Sequence, residues 1–196
     1  MMRFNRSIYP SYGQQLVFLF RRAGELYDIC PMILMALAHR ESTFTSCAVG
    51  RSGASGMMQV MPATGERFGL DREQLLDPKT SIVFGAMYLR MRLDVFEEDI
   101  VKALSAYNQG SRRVLAGTHS TTFADRVIDT YHNIINHLVT WGYIPAPYGE
   151  TYYKTYGTYG PGCKTYETDY GIYEGVYQYQ LDVYKAGEVT YDETYR

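Results

Sequence analysis

A mainly α-helical body followed by a compositionally separate tail is the fold class this sequence predicts, on three observations. Apolar residues recur at three- and four-residue spacing along most of 1–142, the mark of amphipathic helices. No stretch of that body alternates cleanly enough to predict a strand, although 48–60 has room for a short hairpin. The composition then breaks at Gly142. Of 20 tyrosines, 14 lie in 143–196, whereas all nine methionines, all eight phenylalanines and Trp141 lie before Gly142.

Each helix has its own signal. Leu16, Phe20, Ala23 and Tyr27 form one stripe, with Arg21, Arg22 and Glu25 between them, which predicts a helix over 14–28. Pro31 suits the first position of a second helix, where its missing N–H costs nothing. In that helix Ile33, Leu37 and Glu41 stand in one row, flanked by Leu34 and Ala38. Residues 42–56 are rich in Ser, Thr and Gly and read as loop. After Asp77-Pro78, a third stripe runs through Ile82, Ala86, Leu89, Leu93 and Phe96. Residues 99–108 make another, stopped by Gly110, and Phe123, Val127, Tyr131, Ile134, Leu138 and Trp141 mark a long last helix ending at Gly142.

Composition narrows the function. With 196 residues, 46% hydrophobic and 20% charged, the chain has the make-up of one globular domain with length to spare. A formal net charge of −2 supplies no basic field, so no nucleic-acid partner is expected. Cys30, Cys47 and Cys163 form neither a disulfide framework nor a C-x-x-C pair, and the four histidines include no H-E-x-x-H. No metal and no cofactor is expected. The apolar run Leu16–Phe20 is closed by Arg21-Arg22, far short of the roughly 18 residues of a membrane span. It also lacks the cleavage site of a secretory signal, so the expectation is a chain that starts out soluble where it is made.

Glu41 resists a purely structural account. It ends the apolar row of a helix that reads as core, and burying a carboxylate costs several kcal/mol unless it is paired or protonated. A carboxyl kept partly protonated near neutral pH is what general-acid chemistry needs. A helix-end glutamate facing solvent, or paired with Arg40 or Arg51, is the plainer alternative on spacing alone.

Glu41-Ser42-Thr43-Phe44, then Gly53-Ala54-Ser55-Gly56-Met57-Met58-Gln59, then Ala106-Tyr107-Asn108 resemble, in order, the three signature motifs of the lytic transglycosylase catalytic domain. That family is typified by the soluble lytic transglycosylases and related to goose-type lysozyme. Pro62-Ala63-Thr64, Leu76-Asp77-Pro78, Gly85-Ala86 and Tyr88-Leu89 extend the resemblance over roughly 26–140. It implies a lysozyme-like helical fold for 1–142 and cleavage of the β-1,4 bond between N-acetylmuramic acid and N-acetylglucosamine in peptidoglycan. Glu41 would be the acid and then the base, leaving a 1,6-anhydro ring. Carried over by motif, Ser42 would hydrogen-bond near the reacting sugar. Gly56 would let the glycan approach closely, and Met58 would line the saccharide groove. Gln59 would hold the acetamido group, Tyr107 would orient Glu41 or the acetamide, and Asn108 would tie the third motif to the groove. Two departures stand out: the second motif's Leu is Met57, and a Ser common eight or nine residues after the Glu is Gly50.

Two alternatives stay open. A hydrolytic muramidase on the same scaffold would recruit a second carboxylate to activate water, with Asp71 or Asp77 as the mid-body candidates. A structural virion protein would have kept the fold and lost the activity. The Tyr-rich tail 143–196 carries 4 Lys+Arg against 8 Asp+Glu and repeats Thr-Tyr units. It reads as extended or β-prone, and as a contact surface for virion or secretion-complex proteins. Peptidoglycan lies beyond the inner membrane and nothing in the sequence directs export. The expectation is therefore a phage particle component acting in the host periplasm, with a secretion apparatus as the other carrier.

Overall fold

The computed structural model describes residues 10–140. The tail and the end of the last helix at Trp141-Gly142 lie outside the described residues, as does every reading that concerns 143–196. Among the described residues eight helices follow one another: α1 (Pro10–Tyr27), α2 (Pro31–Ser42), α3 (Pro62–Glu66), α4 (Arg72–Leu76), α5 (Pro78–Val95), α6 (Ile100–Gln109), α7 (Ser111–Leu115) and α8 (Thr122–Thr140). Among the described residues no helix is long and apolar enough to cross a membrane.

The helix starts follow from capping chemistry. Pro31, Pro62 and Pro78 each open a helix, where a missing N–H is no loss. Asp77 accepts the N–H of Thr80 at 2.8 Å and Asp99 that of Lys102 at 3.0 Å, so each satisfies a donor that the first turn leaves free. Asp71 and Gln74 form a reciprocal capping box at the start of α4. α1 begins four residues before the 14–28 that the apolar stripe outlines, since Pro10 is tolerated in a first turn.

α5 is the central element. Ser81 to Met87, Leu89, Met91, Arg92 and Leu93 are all buried, because α1, α4 and α6 pack around it. α2 lies against α8 and α1, and α6 against α7 and α8. Leu37, Leu89 and Leu104 are fully enclosed, and burial of each such side chain is worth about 1.5–3 kcal/mol. The one buried cation among the described residues, Arg92, stands with its guanidinium 4.3 Å from the Tyr88 ring centroid and donates to Ser111 Oγ at 2.6 Å.

The hairpin expected inside 48–60 is smaller than a hairpin. Ser55 makes isolated antiparallel bridges to Val49 and to Val60, and no strand forms among the described residues. The segment is too short and too rich in glycine to extend either ladder. It folds instead as a compact loop between α2 and α3.

Candidate active site

Glu41 is the penultimate residue of α2, half-buried at the mouth of the loop that follows. The helix stops one residue later. Thr43 turns left-handed at φ 52° and sends its N–H back to the His39 carbonyl at 3.1 Å, and Phe44 follows at φ 60°. A β-branched residue at positive φ is a strained conformation, held only when its surroundings demand it. Two contacts hold it: Phe44 packs edge-on against Phe20, and the Thr45 N–H donates to Ser42 Oγ at 3.1 Å.

The second motif forms a tight turn secured by three hydroxyls from three helices. Ser42 of α2 donates to the Met57 carbonyl at 2.8 Å. Ser81 of α5 accepts the Met58 N–H at 3.1 Å. Tyr107 of α6 donates to the Met58 carbonyl at 2.9 Å. Consecutive backbone groups of Met57 and Met58 are thus each satisfied by a different helix, so the turn cannot shift without breaking these hydrogen bonds, of which the Ser81 one is buried.

Gln59 follows at φ 49° and is fastened by its own side chain. Its Nε2 donates to the Gly56 carbonyl at 2.8 Å and to the Ala48 carbonyl at 3.2 Å. Both amide protons are therefore engaged, leaving Oε1 as the group free to accept. Oε1 lies 2.8 Å from where a Cβ on Gly50 would stand. Glycine at position 50 makes room for this carboxamide.

Desolvation sets the electrostatics of the site. Burial raises the Glu41 carboxyl from its usual 4.5 to about 7, with no charged neighbour contributing. Neither Arg40 nor Arg51 forms an ion pair with it, so the plainer reading of Glu41 as half of a surface pair does not hold. Burial, together with the nearby charge of Glu41, pushes the Tyr107 phenol well up and keeps it protonated. His39 is held below its ordinary value by burial and by the charge of Arg40.

The structure brings Glu41, Ser42, Gln59 and Tyr107 together, and it changes the roles of several residues. Met58 is fully buried, packed against Gly85 of α5, so its side chain is core and does not line a groove. Gly56 also faces inward. A Cβ there would stand 1.8 Å from the Leu75 carbonyl oxygen, so the close approach it permits is by the protein's own backbone, not by a glycan. The Ser42 hydroxyl is engaged with the Met57 carbonyl, and the Tyr107 proton is committed to Met58, not to Glu41. Asn108 is exposed and borders a neighbouring cavity with Arg40. Asp71 and Asp77, the candidates for a second carboxylate, are both helix caps. Sequence reasoning missed Ser81. Its signal was a lone polar residue heading the fully buried run Ile82-Val83-Phe84. Among the described residues no three His, Cys, Asp or Glu side chains gather to hold a metal ion.

This chain is 36% identical over 104 residues to the soluble lytic murein transglycosylase of Salmonella typhimurium, covering 49% of this chain and 16% of that protein. It is 30% identical over 106 residues to the transglycosylase of Enterobacteria phage PRD1, covering 54% of this chain and 39% of that one. The crystal structure of the 70 kDa soluble lytic transglycosylase from Escherichia coli superposes with a TM-score of 0.56 at 26% identity, over 64% of this chain and 24% of that one. The chain therefore spans only a fraction of the length of these relatives. The sequence profile of the transglycosylase SLT domain matches residues 18–127, and the chain belongs to that family.

Proposed function

We propose that this protein is a lytic transglycosylase that cleaves the MurNAc–GlcNAc β-1,4 bond of peptidoglycan and leaves a 1,6-anhydro-MurNAc end. The observation that carries the reading is Glu41: a half-buried carboxyl raised to about 7 by desolvation and held in no ion pair among the described residues. Near neutral pH such a group is protonated in a large share of molecules and can give its proton to the leaving glycosidic oxygen. As the C1–O bond breaks, the substrate's own acetamido oxygen supports the oxocarbenium-like centre, a substrate-assisted variant of glycoside chemistry. Glu41, now a carboxylate, takes the proton of the muramic C6 hydroxyl while that oxygen closes on C1. The proton lost in the first half is regained in the second, and no water enters. With both amide protons of Gln59 engaged, its Oε1 would accept an acetamido N–H.

A hydrolase on this fold would need a second carboxylate to activate water. Asp71 and Asp77 are engaged as caps, which favours the anhydro product. Digestion of purified sacculi, with products read by mass spectrometry, tests the proposal. Anhydro-muropeptides are expected. Reducing ends would make the protein a hydrolase, and no products at all would make it a structural protein.

The likeness to the phage PRD1 transglycosylase supports a setting in which a virion carries the enzyme to the host periplasm for local wall opening. The protein is then expected in purified particles that clear a peptidoglycan zymogram, and its absence from them would favour a secretion apparatus.

A further inference from the structure

Arg92 lies one turn beyond Tyr88 on α5 and is only 9% exposed. Taking a guanidinium out of water is costly, and an apolar side chain in the same place would avoid that cost. Two contacts show what the cation does there. Its guanidinium carbon stands over the Tyr88 ring, 4.3 Å from the centroid, and its Nη1 donates to Ser111 Oγ at 2.6 Å. The Tyr88 ring is stacked on Phe84 and meets the Tyr107 ring edge to face at 5.3 Å between centroids. Ser111 opens α7 directly after Gly110, which ends α6 at φ 86°.

Tyr107 stands between these two points of attachment. Its ring meets Tyr88, and the corner that Arg92 anchors through Ser111 begins at Gly110, just past the end of the same helix. A planar guanidinium offers a flat face to a ring and N–H donors at its edge, so one side chain can hold both. On the far side, the Tyr107 hydroxyl donates to the Met58 carbonyl at 2.9 Å, immediately before Gln59. We propose that Arg92 is a positioning residue: by fixing Tyr88 and the corner between α6 and α7, it sets where the Tyr107 hydroxyl holds the 56–59 turn, and with it the carboxamide of Gln59. Its consequence for turnover rests on the transglycosylase reading above. The influence travels through packing, because the shift of Glu41 comes from desolvation and no cation contributes to it. A misplacement of about 1 Å at a reacting centre can cost about 100-fold in rate even when its origin is remote.

A double-mutant cycle on peptidoglycan strands tests this. Arg92→Met keeps an unbranched side chain and removes the planar cation. It is expected to lower kcat per folded molecule about tenfold, with KM within about twofold. In a Tyr107→Phe background the hydroxyl to be positioned is gone, so the same change is expected to lower kcat less than about twofold. Equal losses in the two backgrounds, or an unchanged kcat in the first, overturn the proposal. Where Arg92→Met does not fold in either background, Ser111→Ala takes its place, leaving the cation and removing its anchor. The loss expected is then about threefold with Tyr107 present and less than about 1.5-fold without its hydroxyl, and the same two results overturn the proposal. A second measurement needs no turnover. Gln59 makes its side-chain hydrogen bonds to Gly56 and Ala48, so a change at Arg92 or Ser111 reaches it only along the proposed path. NMR shifts of the Gln59 carboxamide protons and the Tyr107 ring in the variant support the role even if no strand is cleaved and the enzymatic reading fails. Shifts confined to α5 and α7 overturn it even if the strands are cleaved.

Discussion

Under the proposed function, Glu41 concentrates both the chemistry and a measurable cost at one residue. Replacing it with Gln keeps the shape and removes the proton, so turnover should fall on the order of 10²–10⁴-fold or more. A variant keeping a tenth of wild-type activity would take Glu41 out of the acid's role. The raised pKa also makes a prediction about stability. A carboxyl whose pKa is higher folded than unfolded adds stability below about 4.5, and that contribution is lost as pH rises through about 7. The Gln variant has no such titration, so it should match wild type near pH 4 and exceed it near pH 8, by at most about 3 kcal/mol. Chemical denaturation at both pH values measures this, and a constant gap between the two proteins would mean that Glu41 is not desolvated. Activity should decline above about pH 7, where the acid is lost. Tyr107→Phe leaves the Met58 carbonyl without its hydroxyl partner. We expect a loss of about 1–3 kcal/mol together with reduced turnover per folded molecule. A variant with unchanged stability would show that this carbonyl finds another donor.

At the scale of elements, the loop between α2 and α3 is where the helices meet. Gly56→Ala tests it most sharply, because its Cβ would collide with backbone at 1.8 Å and its φ of 81° disfavours any side chain. We expect more than about 4 kcal/mol of destabilisation, the range reserved for gross steric conflict. A mild effect would mean that the 56–59 turn and α4 can separate. The long helices were legible because an apolar stripe repeated over four or five turns leaves little choice of fold face, as Ile82, Ala86, Leu89 and Leu93 demonstrate. α3, α4 and α7 were not singled out, for a five-residue helix completes too few turns to display a period. α4 did carry a signal in Asp71-x-x-Gln74, the capping-box pattern. Glu41, the proposed acid, was legible as a carboxylate in an apolar row. Met58 and Gly56 were misjudged because a motif shows which residues recur near a site, not whether they face the ligand or support the loop behind it. Both turned out to support the loop, through Gly85 and Leu75.

At the scale of the whole molecule, the division at Gly142 is a claim about independence that the described residues make testable. The buried core runs from Leu16 through α5 to Ile135, joining α1, α2, α4, α5, α6 and α8, and the family match closes at residue 127. α8 is described as far as Thr140, so a chain ending at Gly142 keeps every contact named above. We expect such a chain to fold with a Tm within about 2 °C of the full protein, a change worth less than about 1 kcal/mol at this size. Its kcat/KM on soluble glycan fragments should stay within about twofold, because Glu41 and Tyr107 stand on α2 and α6, and Gln59 is held by the 48–59 loop that α2, α5 and α6 fasten. What it should lose is placement. Fourteen tyrosines with no Phe, Met or Trp after Gly142 make a composition that suits contact with a partner, since tyrosine offers a large ring and a hydroxyl at low entropic cost. Incorporation of the truncated and full chains into particles, scored by immunoblot, distinguishes the two roles. A truncated chain that is unfolded, or folded but inactive on fragments, would show that the tail completes the core or the groove. One that enters particles as well as the full chain would place the docking surface on the helical body.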